Sequence, residues 1–304
     1  MEQTTDATGI KYNRGFVKKL WIGTCFYEVK GFSPYITSLV STIRALEVMK
    51  LPWEYKEISG DSYVDRAKNA LLNAFLDDQE ATHFFMIDSD ESWDPESFLR
   101  VLRAAMCGAE LVGGSYPCKN NWGFFGCVPK KEVGEDGLEY FIGEELGDMR
   151  LLEMYCIPGG FTCYSKAALK RAEPLLKTYH QIEVGTGKLI SQIEFFRCNI
   201  EEDGGRIGED VYFQKRFSEA GGKILLEPNC TIGHYGIQRW QGNYQELILK
   251  EKAEAESIKD LNTAFDTLNA NLANLHDFEV KLENPAFVDA LRCKIKEKRE
   301  CGLT

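Results

Sequence analysis

The segment HFFMIDSDESWDP (residues 83–95) carries a buried strand, an acid pair and a helix start. HFFMI is a short run of apolar bulk without polar alternation, which reads as a strand covered on both faces. Asp94-Pro95 then opens a helix, the Asp capping free amides and the Pro fitting the first turn. Between the two lies Asp88-Ser89-Asp90. In an open α/β sheet the ligand sits beyond the carboxyl ends of the strands, which is where this pair falls. Two carboxylates one residue apart can hold a hard divalent cation that bridges phosphate oxygens. A capping role does not account for them, because Asp94 already supplies the cap.

Working outward, LWIGTCF (20–26) and WEYKEI (53–58) read as strands, as does AELVGGS (109–115). Ser33-Pro34 predicts a capped helix through Ile36, Leu39, Val40, Ile43 and Leu46. Asp61 predicts the cap of a second helix carrying Val64, Ala67, Leu71, Leu72 and Phe75. MYCIPGGFTCYS (154–165) reads as one strand leading into a helix capped by Ser165. A helix over 208–220 is stopped by Gly221-Gly222, and KILLEP (223–228) is the last core strand. The alternation predicts an α/β fold with a mostly parallel central sheet flanked by helices. Residues 1–242 form the expected main domain, in which 119–153 is an irregular insertion. Ile258, Leu261, Phe265, Leu268, Leu272 and Leu275 alternate spacings of three and four. They predict a C-terminal α-helical extension over 243–304, either folded back or forming a homo-oligomer seam.

The chain has 304 residues, 44% hydrophobic and 27% charged, an ordinary globular composition. Lys and Arg number 36 against 47 Asp and Glu, a formal charge of −11. That balance disfavours DNA as a partner, since no basic excess neutralises its phosphates. The ten cysteines are scattered singly, several within apolar runs (Cys25, Cys107, Cys156, Cys163), as expected of reduced thiols. Neither a signal-peptide core nor a stretch long enough to span a membrane is evident, so a cytoplasmic location is expected (host cytoplasm for a viral chain).

In order, the segments WIGTCFYEV, DSYVDRAKNALLNAFL, THFFMIDSDESWDPESFLRVL, LVGGSYPCK, IPGGFTCYSKAAL, GRIGEDVYFQKRFSEAGGKILLEP and IGHYG resemble the GT-A-fold glycosyltransferases. The likeness is to family 2-like, DXD-motif enzymes of the small soluble phage, large-virus and bacterial type. It runs through roughly residues 18–236, is poor over 119–153 and leaves out 243–304. It implies a Rossmann-like GT-A fold and metal-dependent transfer of a sugar from a nucleotide-diphosphate sugar, a UDP-sugar first, to a glycan or other acceptor hydroxyl, with inversion. Mn²⁺ or Mg²⁺ is the implied metal.

Residue by residue, Asp88 and Asp90 match the DXD motif, the second as metal ligand and the first on ribose or metal, with Ser89 beside the donor. His234 matches a C-terminal metal-binding His, and imidazole suits Mn²⁺. A His packed at a strand end is the plainer reading. Glu209-Asp210 match a motif whose Asp is general base; Glu209 is the alternative, and a helix start favours acids in any case. Gly159 and Gly160 resemble a loop that lets backbone pack close to the donor sugar, or else mark a β-bulge. Thr24 falls where such enzymes bind the base. Arg66 and Asn69 match an R-x-x-N pattern at the base or diphosphate, although with Asn73 they could equally line a solvated helix face. Trp122, with Phe124 and Phe125, and Trp240 could stack on an acceptor sugar or anchor a loop. Two other classes stay open. One is a non-catalytic sugar-nucleotide or glycan-binding module assembling through its C-terminal helices. The other is a sugar-1-phosphate nucleotidyltransferase, whose Gly-rich basic signature is missing from GTCFYEVKGF (23–32).

Overall fold

Phe84 and Phe85 point to opposite sides of one strand, β3 (His83–Ile87), and the layering follows from that alternation. Phe85 stacks on Phe98 with ring centroids 4.4 Å apart, and Phe84 meets Phe75 edge-on at 5.5 Å. The computed structural model describes residues 3–5, 11–13, 16–27, 31–119, 125–182, 187–236 and 239–259, with 263 and 285 singly. Within these, β1 (Leu20–Phe26), α1 (Ser33–Met49), β2 (Trp53–Ser59) and α2 (Val64–Asp77) precede β3. Then come β4 (Glu91–Trp93), α3 (Pro95–Met106), β5 (Leu111–Gly113), β6 (Val128–Pro129), β7 (Gly143–Leu146) and β8 (Met149–Cys156). They are followed by β9 (Phe161–Ser165), α4 (Lys166–Ala172), the hairpin β10 (Lys177–Ile182) and β11 (Leu189–Glu194), α5 (Glu209–Glu219), β12 (Ile224–Leu226), β13 (Thr231–Tyr235) and β14 (Arg239–Asn243).

The central sheet has nine strands in the order β7-β8-β12-β5-β9-β3-β1-β2, with β6 alongside β8. Only β9 and β8 run against the rest, so the sheet is mostly parallel and helices flank it. Tyr35, Leu39 and Leu46 of α1 and Phe98, Val101 and Leu102 of α3 share the core with Phe85. On the other face, Phe75 of α2 packs on Trp21 and Phe84, and Phe213 of α5 packs on Tyr164, which lies opposite Phe84 in the β9–β3 ladder.

Four local expectations need correcting. The N-cap of α1 is Phe32, without a side-chain bond, and Ser33 already lies in the helix. The N-cap of α2 is Tyr63, while Asp61 accepts the Tyr63 amide at 2.9 Å and binds the Arg66 guanidinium. MYCIPGGFTCYS is two strands that do not pair with each other. Pro158-Gly159-Gly160 breaks the run, and β8 joins β12 whereas β9 inserts between β5 and β3. The 119–153 region contains ordered pairing, with β7 on β8 and Lys131–Val133 on Glu139–Phe141. Asp94 and Ser165 do cap α3 and α4, accepting the Ser97 and Ala168 amides.

The chain divides into two units, Met1–Leu247 and Ile248–Thr304. Residues 244–259 are helical, and Asn243 Oδ1 accepts the Gln245 amide at 2.9 Å. Of the heptad positions, Ile258 is described and exposed; the remainder lie outside the described residues. Among the described residues the cysteines are free, and no helix is long and apolar enough to cross a membrane.

Candidate functional site

The reversed strand β9 is what builds the site. Running antiparallel, it starts where β3 and β5 end, so the turn before it lies against Asp88. The Asp88 amide donates to the Gly160 carbonyl at 2.8 Å. On the other side of the turn, the Gly159 amide donates to Asp210 Oδ2 at 3.0 Å. Asp210 and Glu209 occupy the first turn of α5, where the helix dipole favours acids. Three separated stretches thereby meet at the carboxyl end of the sheet.

They meet around Lys68, a residue of α2 that is 2% exposed. Its Nζ lies 3.3 Å from Asp88 Oδ1 and 3.3 Å from Glu209 Oε1. Burial works against charge on the ammonium, but Asp88, Glu209 and Asp210 outweigh it and hold its pKa well above the usual lysine value. Burial, then the Glu209 charge, raises the Asp210 carboxyl above the ordinary range, against Lys68 and the Val211 and Gly159 amides. A carboxylate shifted upward suits proton abstraction near neutrality.

The second half of the site forms through the small sheet β14-β13-β4. Strand β4 directly follows the acid pair and sets His234 opposite Glu91, while the Tyr235 amide donates to the Asp90 carbonyl at 2.7 Å. His234 Nδ1 lies 3.0 Å from the Pro117 carbonyl, which makes it the protonated nitrogen and leaves the Nε2 lone pair toward Asp90 Oδ2 at 4.0 Å. That tautomer is the one a metal-ligating His uses. Glu91 is fully buried beside the Tyr116 hydroxyl. Burial, then Asp88 and Asp90, pushes its pKa well up. Two carboxylates and an imidazole fit Mn²⁺ or Mg²⁺ in donor chemistry. Among the described residues, however, no three such side chains are arranged to hold an ion, and the Lys119 ammonium is ion-paired with Asp90.

Other expected residues take varied places. Ser89 lines a cavity of about 330 Å³ with Asp88, Asp90, Asp61, Cys25 and Phe26. Thr24 does not line it and is fully buried, its hydroxyl bonded to that of Tyr35. Arg66 pairs with Asp61 and borders a separate groove of about 1310 Å³ between α2 and the β10–β11 hairpin. Asn69 spends its amide on Phe196, donating to the carbonyl and accepting from the amide, both at 2.8 Å. Asn73 does the same for Ile193. Phe125 is buried edge-on to Tyr244 at 5.4 Å, a loop anchor. The backbone of Trp240 is paired with that of His234; Trp122 and Phe124 lie outside the described residues.

Sequence reasoning missed Lys68, Glu91, Lys119 and Gln214. A single Lys in an amphipathic helix reads as solvated, and Gln214 carries no motif signal. Glu91 could have been found: it adjoins the acid pair yet lies in a segment that reads as buried.

No protein-family model matches the chain, and no curated protein does. Among solved structures, protein A197 of STIV aligns with a TM-score of 0.45 and 14% identity over 75% of this chain and 91% of that one. GalNAc-T7, solved with UDP, GalNAc and Mn²⁺, aligns at 0.43 and 10% identity over 78% of this chain and 48% of its own. The 4-diphosphocytidyl-2C-methyl-D-erythritol synthase of Anaerococcus prevotii gives 0.28 and 13% identity over 51% of this chain and 74% of its own. Likenesses this loose carry no functional weight.

Proposed function

We propose that the chain is a glycosyltransferase that moves a sugar from a nucleotide-diphosphate sugar, a UDP-sugar first, to an acceptor hydroxyl with inversion. The observation that carries this reading is the meeting of Asp88, Glu209 and Asp210 around the buried Lys68 at the carboxyl end of the sheet. Glu209 is drawn to the lysine, whereas Asp210 holds the Gly159 amide, which favours Asp210 as the base. In the reaction the acceptor oxygen bonds to the anomeric carbon as the bond from that carbon to the diphosphate oxygen breaks. The diphosphate leaves with the electron pair, and the acceptor proton passes to Asp210. Lys68 keeps Asp88 and Glu209 in place and offsets their mutual repulsion.

Asp88 and Ser89 bind the donor beside Gly159 and Gly160, which let the sugar approach backbone. Asp90 and His234, with Asp88 adjacent, would hold Mn²⁺ or Mg²⁺, whose charge would offset that of the departing diphosphate. A glycan or another hydroxyl compound is the acceptor, entering from the 119–153 side and Trp240.

The test is UDP release from a panel of UDP-sugars with Mn²⁺, followed by NMR of the released sugar. Slow hydrolysis giving first the inverted anomer is expected. Binding of the same UDP-sugars without any release, with or without added glycans, would make the chain a binding module instead.

A further inference from the structure

Asp90 carries its own counter-cation. The Lys119 ammonium is paired with Asp90 Oδ2, the same oxygen that faces His234 Nε2 at 4.0 Å. The lysine stem crosses Gly236, where a Cβ would come 3.2 Å from Lys119 Cδ, so the glycine two residues past His234 leaves room for this reach. Charges here do not balance. Asp88, Asp90 and Glu209 share two ammonium groups, Lys68 and Lys119. Asp88, at 31% side-chain exposure, and Asp90, at 28%, both stay open to a further cation. Lys68 is enclosed and cannot leave, whereas the Lys119 side chain is 38% exposed. An ion pair this exposed is weak enough to exchange.

We propose that Lys119 stands in for the divalent cation at Asp90. The ion displaces the ammonium from Oδ2, and the freed ammonium then pairs with the diphosphate of the incoming donor. A compact charge on a flexible four-carbon stem suits such a handover. The second half rests on the glycosyl-transfer reading; the first rests on Asp90, His234 and Lys119 alone.

Lys119→Met keeps the stem over Gly236 and removes the charge, while Lys119→Arg keeps the charge. Mn²⁺ binding to the full chain is titrated without nucleotide by the EPR signal of free Mn²⁺, and UDP binding at saturating Mn²⁺ is measured by calorimetry. Lys119→Met should bind Mn²⁺ roughly 5-fold tighter and UDP roughly 10-fold weaker, with Lys119→Arg near wild type in both. Opposite signs are the signature, since a merely structural lysine would move both affinities the same way. Unchanged or weaker Mn²⁺ affinity in Lys119→Met, or no Mn²⁺ binding by either chain, overturns the exchange; unchanged UDP affinity overturns the handover. A wild-type chain that binds Mn²⁺ but no UDP counts against glycosyl transfer and the handover, and leaves the exchange to be decided by the Mn²⁺ titrations.

Discussion

Gln214 grips Ile157 on both sides, its side-chain oxygen accepting the amide at 2.8 Å and its nitrogen donating to the carbonyl at 2.7 Å. The grip ties α5 to the turn that carries Gly159 and Gly160, so the acids of α5 and the backbone beside Asp88 hold one geometry. Gln214→Leu has nearly the same volume and leaves two buried backbone groups unpaired. It should cost about 2–4 kcal/mol of stability, read from denaturant midpoints. At a temperature where the variant stays folded, transfer should fall further than donor binding, because the turn positions the reacting groups. Equal losses in both would reduce Gln214 to a packing residue.

Asp210→Asn should retain donor binding and lose transfer by about 10²–10⁴, since the amide keeps volume and hydrogen bonds but cannot take a proton. Asp210 Oδ2 accepts the Gly159 amide, a bond that Asn can preserve through its carbonyl oxygen. Glu209→Gln is the comparison. It weakens the hold on Lys68 and should cost stability before it costs rate. Near wild-type turnover in Asp210→Asn would remove it as base, and retained anomeric configuration would remove the single displacement.

The layered α/β plan was legible because buried strands and capped helices leave strong local marks, as HFFMI and Asp94-Pro95 do. The direction of β9 was not, since nothing in FTCYS distinguishes a strand that returns between β3 and β5 from one that continues β8. That one reversal brings Gly160 to Asp88. The hairpin β10–β11 was also silent in the sequence; it is held from outside, by Asn69 and Asn73, whose amides grip residues 193 and 196. Motif reading singled out Asp88, Asp90, Asp210 and His234, but it could not show that each acid of the pair already faces a lysine. Lysine pairing depends on long side chains from distant segments, and spacing does not record it.

Gly160 should tolerate no side chain. A Cβ there would collide with Glu91 Oε1, Tyr116 Oη and Asp88 Oδ2 together, and Glu91 and Tyr116 are too buried to yield. Gly160→Ala is expected to abolish UDP binding while the far-UV circular dichroism of the chain stays native. Gly126→Ala is the matched control, as its Cβ would meet Pro158 Cγ at an ordinary 3.6 Å. Wild-type UDP affinity in Gly160→Ala would show that the donor does not approach this turn.

His83 offers a pH test of the core that is independent of the site. It opens β3, is 5% exposed, and its Nδ1 lies 3.1 Å from the Thr82 hydroxyl. Burial pushes its imidazole down to about 4, from an ordinary value near 6.5. The unfolded chain therefore takes up this proton at a higher pH than the folded chain does. Stability contributed by neutral His83 is complete above pH ~6.5 and is lost as pH falls toward ~4, to a total of about 3 kcal/mol. Carboxylates titrate in the lower part of the same window, so the comparison must be with a variant that cannot protonate. His83→Gln should be less stable than wild type at pH 7, where its amide must find partners in a site shaped for imidazole. The gap between the two unfolding free energies should then close, or change sign, as pH falls from 7 to 4. A gap independent of pH would mean that His83 reaches solvent in the folded chain and titrates there as it does unfolded.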